Sequence, residues 1–278
     1  MNMSATQPRV FPAPFDAVAS RYDETFTSSR IGRAQRAAVW NELAKVFHAG
    51  DRILEIGCGT GVDACFLAGR GVEVLACDPS PQMIEVSARR VRQNGLQARV
   101  RTRVLRAEDV STLLPNEFFD GAFSNFGALN CVQDLGALAQ DLARLLRPGG
   151  TIVFCWMGPR CLWEMVWYLG QRNKNKAFRR FKQNGVRAKI AAEVFVHVHY
   201  PSVRFLAQTF APEFRLKSVQ GIGVAVPPSY LEPWAQRHPQ LLQLCAWTDS
   251  LVTRWPGIRL LGDHVLVRLE RTSSGRQL

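Results

Sequence analysis

A glycine-rich segment follows the first apolar run that is typical of a strand, residues 52–58 (RILEIGC). It places Gly57, Gly59 and Gly61 at alternate positions, directly after the carboxylate of Glu55. Glycine at a strand-to-helix turn lets the backbone approach a ligand closely and adopt positive φ angles. The spacing G-x-G-x-G differs from the G-x-G-x-x-G of dinucleotide-binding enzymes, so it argues against a dinucleotide site.

Acidic residues follow the next two predicted strands as well. Asp78 lies seventeen residues after the last glycine, where a carboxylate can hold a ribose diol, and Glu108 and Asp109 follow the third apolar run. The carboxyl ends of parallel strands line one crevice, so we expect these acids near a single cleft. A local acidic site in a chain of net charge +12 suits a cationic cofactor better than a pyrophosphate. For Asp63 and Asp109, a role in the first turn of a helix is the alternative.

The order of the surrounding elements predicts an α/β fold with a doubly wound, mostly parallel sheet. Between residues 51 and 157 short apolar runs alternate with helical stretches, which is typical of a sheet covered on both faces. The predicted strands there are 52–58, 73–78, 98–107, 118–126 and 151–157, and the predicted helices up to residue 150 are 15–26, 33–47, 81–95 and 134–150. Further along we predict helices over 158–193, 202–214 and 229–255, and strands over 194–200, 215–228 and 263–271.

Composition limits the class of protein. The chain is 47% hydrophobic, enough for a large core, and its 35 basic against 23 acidic residues leave nucleic acid, an anionic membrane surface or an acidic substrate open as partners. Its seven cysteines include no CxxC pair, which argues against a disulfide framework or a zinc site, so we predict no metal site. We find no signal-peptide pattern and no apolar run of about 18 residues, and we therefore predict a cytoplasmic protein.

Five motifs, in order, resemble those of class I S-adenosylmethionine-dependent methyltransferases. They are residues 53–61 (ILEIGCGTG), 77–80 (CDPS) with Met83, 106–110 (RAEDV), 119–132 (FDGAFSNFGALNCV) and 145–150 (LLRPGG). Residues 15–23 (FDAVASRYD) are similar to the N-terminal lid of the ubiquinone/menaquinone-type members. The resemblance covers residues 15–157 and implies a seven-stranded, Rossmann-like sheet with a helical lid and helical insertions in the C-terminal half.

Composition and this resemblance together predict a division of the chain, because residues 1–14 are polar with three prolines and no clear linker interrupts the rest. We expect a flexible arm at 1–14 and a single methyltransferase-like domain over 15–278. Within that domain, lid helices take 15–50, the cofactor-binding core takes 51–157, and substrate-cap insertions take 158–200 and 229–262.

By the same resemblance the cofactor is S-adenosylmethionine, and S-adenosylhomocysteine is the product. The implied contacts run from the methionine moiety to the ribose, the adenine, the region beyond the methyl group and the closing lid. In that order they are Gly57, Cys58, Gly59, Gly61 and Glu55; then Asp78; then Pro79, Met83, Ala107 and Glu108; then Asn125 and Phe126; and finally Tyr22.

The acceptor side is indicated by aromatic and histidine residues. Six of the seven tryptophans lie at position 156 or beyond, where they fit an apolar acceptor pocket, with simple helix packing as the alternative. The candidate substrate contacts are Asn130, Trp156, Trp163 and Tyr200. The candidate general bases are His199 and Tyr22, followed by His197, His264 and Asn130.

We therefore predict methyl transfer to O, N or C of a small, apolar or aromatic metabolite by in-line displacement. An RNA methyltransferase is the main alternative, because residues 171–189 carry eight basic side chains with Phe178 and Phe181 between them. The same segment also fits a membrane surface or a solvated helix face. A dinucleotide oxidoreductase and a member that binds the cofactor without catalysis are further alternatives, and the oligomeric state stays open.

Overall fold

The computed structural model describes residues 13–182 and 184–272, so the arm predicted at 1–14 lies almost wholly outside the described residues. The strands in this part of the chain are β1 (Arg52–Ile56), β2 (Glu73–Asp78), β3 (Val100–Val104), β4 (Phe119–Ser124), β5 (Leu146–Trp156), β6 (Val186–Ala191), β7 (Val194–Val198), β8 (Phe214–Ile222) and β9 (His264–Arg271).

Seven of these strands form one sheet in the order β3-β2-β1-β4-β5-β9-β8. The first five pair in parallel, whereas β9 runs antiparallel between β5 and β8. The strand order reverses beside β1, between the end of β1 and the end of β4. In open α/β sheets ligands bind at such a switch point, outside the carboxyl ends of the strands. The predicted seven-stranded, mostly parallel sheet is confirmed.

Helices cover both faces of this sheet. They are α1 (Arg30–Val46), α2 (Val62–Ala68), α3 (Pro81–Gln93), α4 (Leu135–Leu145), α5 (Leu162–Gly170), α6 (Lys174–Ala177), α7 (Val203–Thr209), α8 (Glu232–Arg237) and α9 (Pro239–Val252). Shorter helical turns span Pro14–Arg21, Asp23–Thr27, Ala107–Leu113, Ala128–Cys131, Arg179–Phe181, Ser229–Leu231 and Ile258–Leu260. In the described part of the chain, no helix combines the length and apolar character needed to cross a membrane.

The core lies in two layers, one on each side of the sheet. Alternation along β1 sends Ile53 towards α1 and α2, and Leu54 towards α4. Both side chains are fully buried. Successive side chains of the continuous apolar run in β1 therefore pack on opposite faces of the sheet, as is typical of a central parallel strand.

Helix starts follow the expected capping chemistry. Ser80 precedes α3, and its Oγ accepts a hydrogen bond from the Met83 amide at 3.0 Å, with Pro81 in the first helical position. Asp134 does the same for α4, accepting from the Ala137 amide at 2.9 Å. The prediction of a helix beginning at Pro81 is confirmed, and α4 ends at residue 145, before the Pro-Gly-Gly turn.

Two predicted helices were wrong in part. The stretch 158–193 was predicted helical throughout, but residues 186–191 form β6, which pairs with β7 as a separate hairpin. Val186, Ala188 and Ile190 alternate with basic residues there, which is a strand period that the helical prediction overlooked. The helix predicted at 134–150 ends at residue 145, because residues 146–150 belong to β5. The helix predicted at 15–26 is confirmed, as a 3-10 helix followed by a π-helical turn.

Candidate functional site

The glycine loop at the end of β1 contains glycines with two different tasks. All three have positive φ, at 72° for Gly57, 51° for Gly59 and 76° for Gly61. A Cβ at Gly57 would lie 2.3 Å from the Cβ of Ala128, and one at Gly61 would lie 2.1 Å from Ser87 Oγ. At Gly59 no described atom would come within 4 Å. The outer two glycines are therefore required by packing, while Gly59 borders open space that a ligand can enter.

Glu55 places a buried carboxylate directly before this loop. Its side chain is 1% exposed, and Oε2 has no hydrogen-bond partner within the described ranges. Burial raises the pKa of Glu55 well above its usual value, Asp63 and Asp78 raise it further, and Arg36 lowers it. A buried carboxyl oxygen without a partner is costly, so the position favours a ligand that brings a donor, such as an amino group.

Asp78 ends β2 beside the open space at Gly59. Its Oδ2 accepts from the Gly59 amide and its Oδ1 from the Ser80 amide, both at 2.9 Å. Each carboxylate oxygen has a second lone pair, so both can still accept from vicinal hydroxyls. Burial raises the pKa of Asp78 to about 6, against the lowering effect of these two amides. Asp78 thus fits a ribose diol.

The predicted adenine contacts lie around the ends of β2 and β3. Met83 is buried in the first turn of α3, while Pro79 is exposed before it. Ala107 and Glu108 begin the helical turn after β3, and the Glu108 carboxylate lies 3.5 Å from Arg106 Nε. Cys58 connects the glycine loop to β2, because its amide donates a hydrogen bond to the Cys77 carbonyl at 2.8 Å.

Asp63, left open as a helix-turn residue, proves to be a buried junction. It accepts from Arg36 Nη1 at 2.5 Å, from Trp40 Nε1 at 2.6 Å and from Asn125 Nδ2 at 2.9 Å. The Arg36 guanidinium also lies 4.8 Å from the centre of the Phe126 ring. Asp63 therefore orients Asn125 after β4. Arg36 and Trp40 were missed, since only the tertiary fold brings α1 to this cleft.

Residues 14–27, which we call the lid, lie across the mouth of the cleft. Asp16 accepts from the Ser80 hydroxyl and the Gln82 amide at the start of α3. Asp23 accepts from the Thr60 hydroxyl at 2.7 Å, next to the glycine loop, and pairs with Arg90. These two aspartates were not predicted as site residues, although both lie inside the lid motif.

Tyr22 lies between those two anchors and is turned towards the acids of the cleft. Burial raises its pKa to about 12, Arg36 lowers it, and Asp78 and Asp63 raise it. The predicted position of Tyr22 over the cofactor cleft agrees with this environment. Its raised pKa argues against the second predicted role, because a phenol protonated at neutral pH is a poor general base.

Two of the predicted substrate contacts are buried residues that hydrogen-bond to the protein backbone. Trp156 is 1% exposed within the core, and its indole N–H donates to the Pro201 carbonyl at 3.0 Å. Asn130 is fully buried, and its amide bonds the Met157 backbone and the His199 carbonyl. The polar atoms of Trp156 and Asn130 are hydrogen-bonded to neighbouring backbone segments, which argues against a substrate contact for either side chain.

The other acceptor-side predictions fall on the segments that follow β5. Trp163 donates to the Ala225 carbonyl and packs against Trp234, which favours a helix-packing role. Tyr200 places its ring 5.5 Å from the Arg180 guanidinium. His199 is partly buried, its ring lies 4.5 Å from that of His197, and burial lowers its pKa. Its role as a general base stays a prediction.

Comparison with known proteins finds a matching family over part of the chain. Residues 53–150 match the family described as a methyltransferase domain. The chain is 36% identical over 151 residues to the demethylmenaquinone methyltransferase of Clavibacter sepedonicus, an alignment that covers 54% of this chain and 58% of that protein. The chain spans only 58% to 61% of the length of the first curated relatives it matches.

Solved structures show the same fold at low sequence identity. A putative S-adenosylmethionine-dependent methyltransferase from Listeria monocytogenes superposes with a TM-score of 0.58 at 17% identity, covering 85% of this chain and 99% of that one. The geranyl diphosphate C-methyltransferase of Streptomyces coelicolor, solved with S-adenosyl-L-homocysteine, gives 0.53 at 16% identity, covering 85% and 79%. The chain has the class I methyltransferase fold, and residues 53–150 match the methyltransferase domain family. The predicted resemblance is confirmed.

Proposed function

We propose that this protein binds S-adenosylmethionine and transfers its methyl group to a small apolar or aromatic acceptor. The observation that carries the proposal is the arrangement of Glu55, Gly59 and Asp78 at the switch point of the sheet. A buried acid without a full set of partners, an open glycine and a second acid suited to a diol match the amino, sulfonium and ribose parts of one ligand. The match of residues 53–150 to the methyltransferase domain supports it.

S-adenosylmethionine, when bound, supplies a methyl group activated by a positively charged sulfur. The residues of this chain supply binding and orientation. Glu55 is placed to accept from the amino group, Asp78 from the ribose hydroxyls, and Met83, Ala107 and Glu108 to border the adenine. Tyr22 and the lid exclude water, which helps a reaction in which charge disperses, and a fixed in-line geometry lowers the barrier further.

We propose that the chain is a single domain with three functional regions. Residues 15–50 include the lid, 51–157 form the cofactor-binding core, and the insertions 158–200 and 229–262 cover the acceptor. The demethylmenaquinone methyltransferase relative and the geranyl diphosphate C-methyltransferase are named for acceptors with isoprenoid character. By analogy we propose an apolar acceptor with an aromatic or isoprenoid part.

The basic segment 171–189 gives little support to an RNA substrate. Arg179 and Arg180 both pair with the buried carboxylate of Glu164, and the Arg187 guanidinium lies 4.2 Å from the centre of the Phe195 ring. Lys176 Nζ also lies 5.4 Å from the centre of the Tyr168 ring. Four of the eight basic side chains thus have internal partners, so the segment acts in part as a structural element.

A binding and turnover experiment tests the proposal. Calorimetry should detect S-adenosylhomocysteine but not NAD, and Asp78→Ala should weaken that binding by a hundredfold or more, since two charge-assisted hydrogen bonds of about 1.5–3 kcal/mol each are lost. Glu73→Ala, at the exposed opposite end of the same strand, is the matched control and should leave affinity unchanged. Radiolabelled methyl transfer is then measured with hydroquinones, isoprenoids and RNA. Equal affinity in Asp78→Ala, or transfer to RNA alone, would overturn the proposal.

A further inference from the structure

His264 is a buried histidine that lies at the carboxyl edge of the sheet. It begins β9, whose next residue, Val265, pairs with the last residue of β5. The side chain is 6% exposed, and its ring packs edge-on against Phe126 with 5.3 Å between ring centres. Phe126 directly follows Asn125 after the end of β4. It also packs against Phe26 of the lid, with 5.0 Å between ring centres. His264 thus lies beside the residues that border the methyl-donor side of the cleft.

The carboxylate of Asp263 is held against this ring. Arg180 Nη2 donates to Asp263 Oδ1 and Nη1 to the Asp263 carbonyl, both at 2.7 Å. Arg180 is in turn fixed by the buried carboxylate of Glu164 at 3.1 Å. Asp263 Oδ2 is left facing His264 Nδ1 at 3.5 Å and accepting from Gln35 Nε2 at 3.4 Å. The charged groups that act on His264 from its own and the neighbouring segments are therefore Asp263 and Arg180.

Two polar atoms around Asp263 have no partner in the described part of the chain. They are His264 Nδ1 and Gln35 Oε1, both buried. Burial lowers the pKa of His264, so the imidazole is neutral at neutral pH, and the nearby carboxylate favours the tautomer with the proton on Nδ1. That tautomer leaves Nε2 free to accept a proton. By contrast, His199 has a second histidine as its ring neighbour.

We propose that His264, oriented by Asp263, is the general base for an acceptor that presents an ionisable hydroxyl group, such as a phenol or hydroquinone. This inference rests on the proposed methyl transfer. The hydroxyl proton moves to His264 Nε2, and the oxygen forms the bond to the methyl group. Where a ring carbon conjugated with the oxygen forms that bond instead, this carbon afterwards loses its own proton to water and the oxygen regains one, which restores the aromatic ring. The donor sulfur keeps the electron pair of the broken bond. The imidazolium faces the Asp263 carboxylate until it returns its proton to water.

The test uses His264→Gln, with His48→Gln as the matched control on an exposed histidine just after α1, and His199→Gln as the competing candidate. All are assayed for S-adenosylhomocysteine affinity and for methyl transfer to phenols of graded acidity. In His264→Gln we expect unchanged cofactor affinity and a loss of kcat of about a hundredfold or more. The loss should shrink as the phenol becomes more acidic, because an acceptor that is already ionised needs no base. His48→Gln should keep full activity.

The outcomes separate the two proposals. If the wild-type protein neither binds S-adenosylhomocysteine nor transfers a methyl group, the proposed function fails. If it does both and His264→Gln retains its kcat, or loses equally with every phenol, only the role of His264 fails, and a selective loss in His199→Gln would move the role there. Nitrogen-15 NMR of the wild-type protein gives an independent check. The Nδ1–H tautomer is expected for His264, and an Nε2–H tautomer would overturn the assignment.

Discussion

The floor of the candidate site and its cover are held by different kinds of contact. The floor consists of the sheet and the glycine loop within residues 52–156, and the side chains of its central strands are almost entirely buried. The cover consists of the lid and of the cap, residues 158–200. In the lid helix Pro14–Arg21 only Ala19 is buried, and the lid is anchored through Asp16 and Asp23. The cap is anchored through the buried ions Glu164 and Arg180.

This difference has a physical consequence for binding. Apolar burial contributes about 25 cal/mol per Å² and is lost only when the element unfolds, whereas an exposed polar contact is worth roughly 0–1 kcal/mol. A lid attached by a few partly exposed polar contacts and by the packing of Phe26 on Phe126 can open for a cofactor while the floor stays folded. The buried ions of the cap are a third case, because separating them leaves uncompensated charges.

The largest effect is expected from breaking the ionic anchor of the cap. Arg180→Met leaves the buried carboxylates of Glu164 and Asp263 without their shared partner, and should lower the free energy of unfolding by about 3–5 kcal/mol. Urea denaturation measures it. Arg147→Met, which removes an exposed pair with Asp120, is the control and should cost less than about 1 kcal/mol. Equal losses would remove the distinction between cap and surface.

A smaller effect is expected from overpacking the floor. In Gly61→Ala the new Cβ would lie 2.1 Å from Ser87 Oγ, and the alanine would have to keep a positive φ. The free energy of unfolding should therefore fall by about 2–4 kcal/mol. Gly95→Ala has a similar φ of 67° but no described atom within 4 Å, and should cost only about 1–2 kcal/mol. If both variants unfold at the same urea concentration, packing is not what requires Gly61.

Protonation of Asp78 should weaken cofactor binding without unfolding the floor. The pKa of Asp78 is about 6, so its carboxylate is charged above that pH and neutral below it. Because a charged carboxylate is the stronger acceptor for the ribose hydroxyls, affinity for S-adenosylhomocysteine should fall by up to about tenfold between pH 7 and pH 5. Calorimetry across this range should show a flat response in Asp78→Asn. A parallel decline in that variant would assign the pH dependence to another group.

The smallest effect on stability is expected in the lid. Asp23→Ala removes the acceptor for the buried Thr60 hydroxyl and the partner of the partly exposed Arg90. Because the Asp23 side chain is itself 29% exposed, the free energy of unfolding should change by only about 1 kcal/mol. Dissociation of S-adenosylhomocysteine should nevertheless become several-fold faster in stopped-flow measurements. Glu24→Ala, on the exposed side of the same turn, is the control. A change in unfolding without any change in dissociation would show that the lid is part of the floor.

The parts of the fold that the sequence predicted are those ruled by local chemistry. Ser80 and Pro81 specify the start of α3, and the apolar run ending in Gly57 specifies β1 and its turn. The stretch 158–193 was harder, because its strand period is brief and lies among basic residues that suit a helix face equally well. Trp156 and Trp163 were ambiguous for the same reason, since an aromatic side chain packs in a core as readily as it lines a pocket.

The amino-acid order alone determined that the chain has a parallel sheet, a glycine loop after the first strand and acidic residues after the next two strands. Residue spacing and hydrophobic periodicity are properties of neighbouring residues. Only the tertiary structure decided that Arg36 pairs with Asp63, that Arg180 joins Glu164 to Asp263, and that His264 comes to lie against Phe126. These contacts join residues from 16 to 138 positions apart. Their cost in chain entropy is met by the burial of the whole core, which no local pattern records.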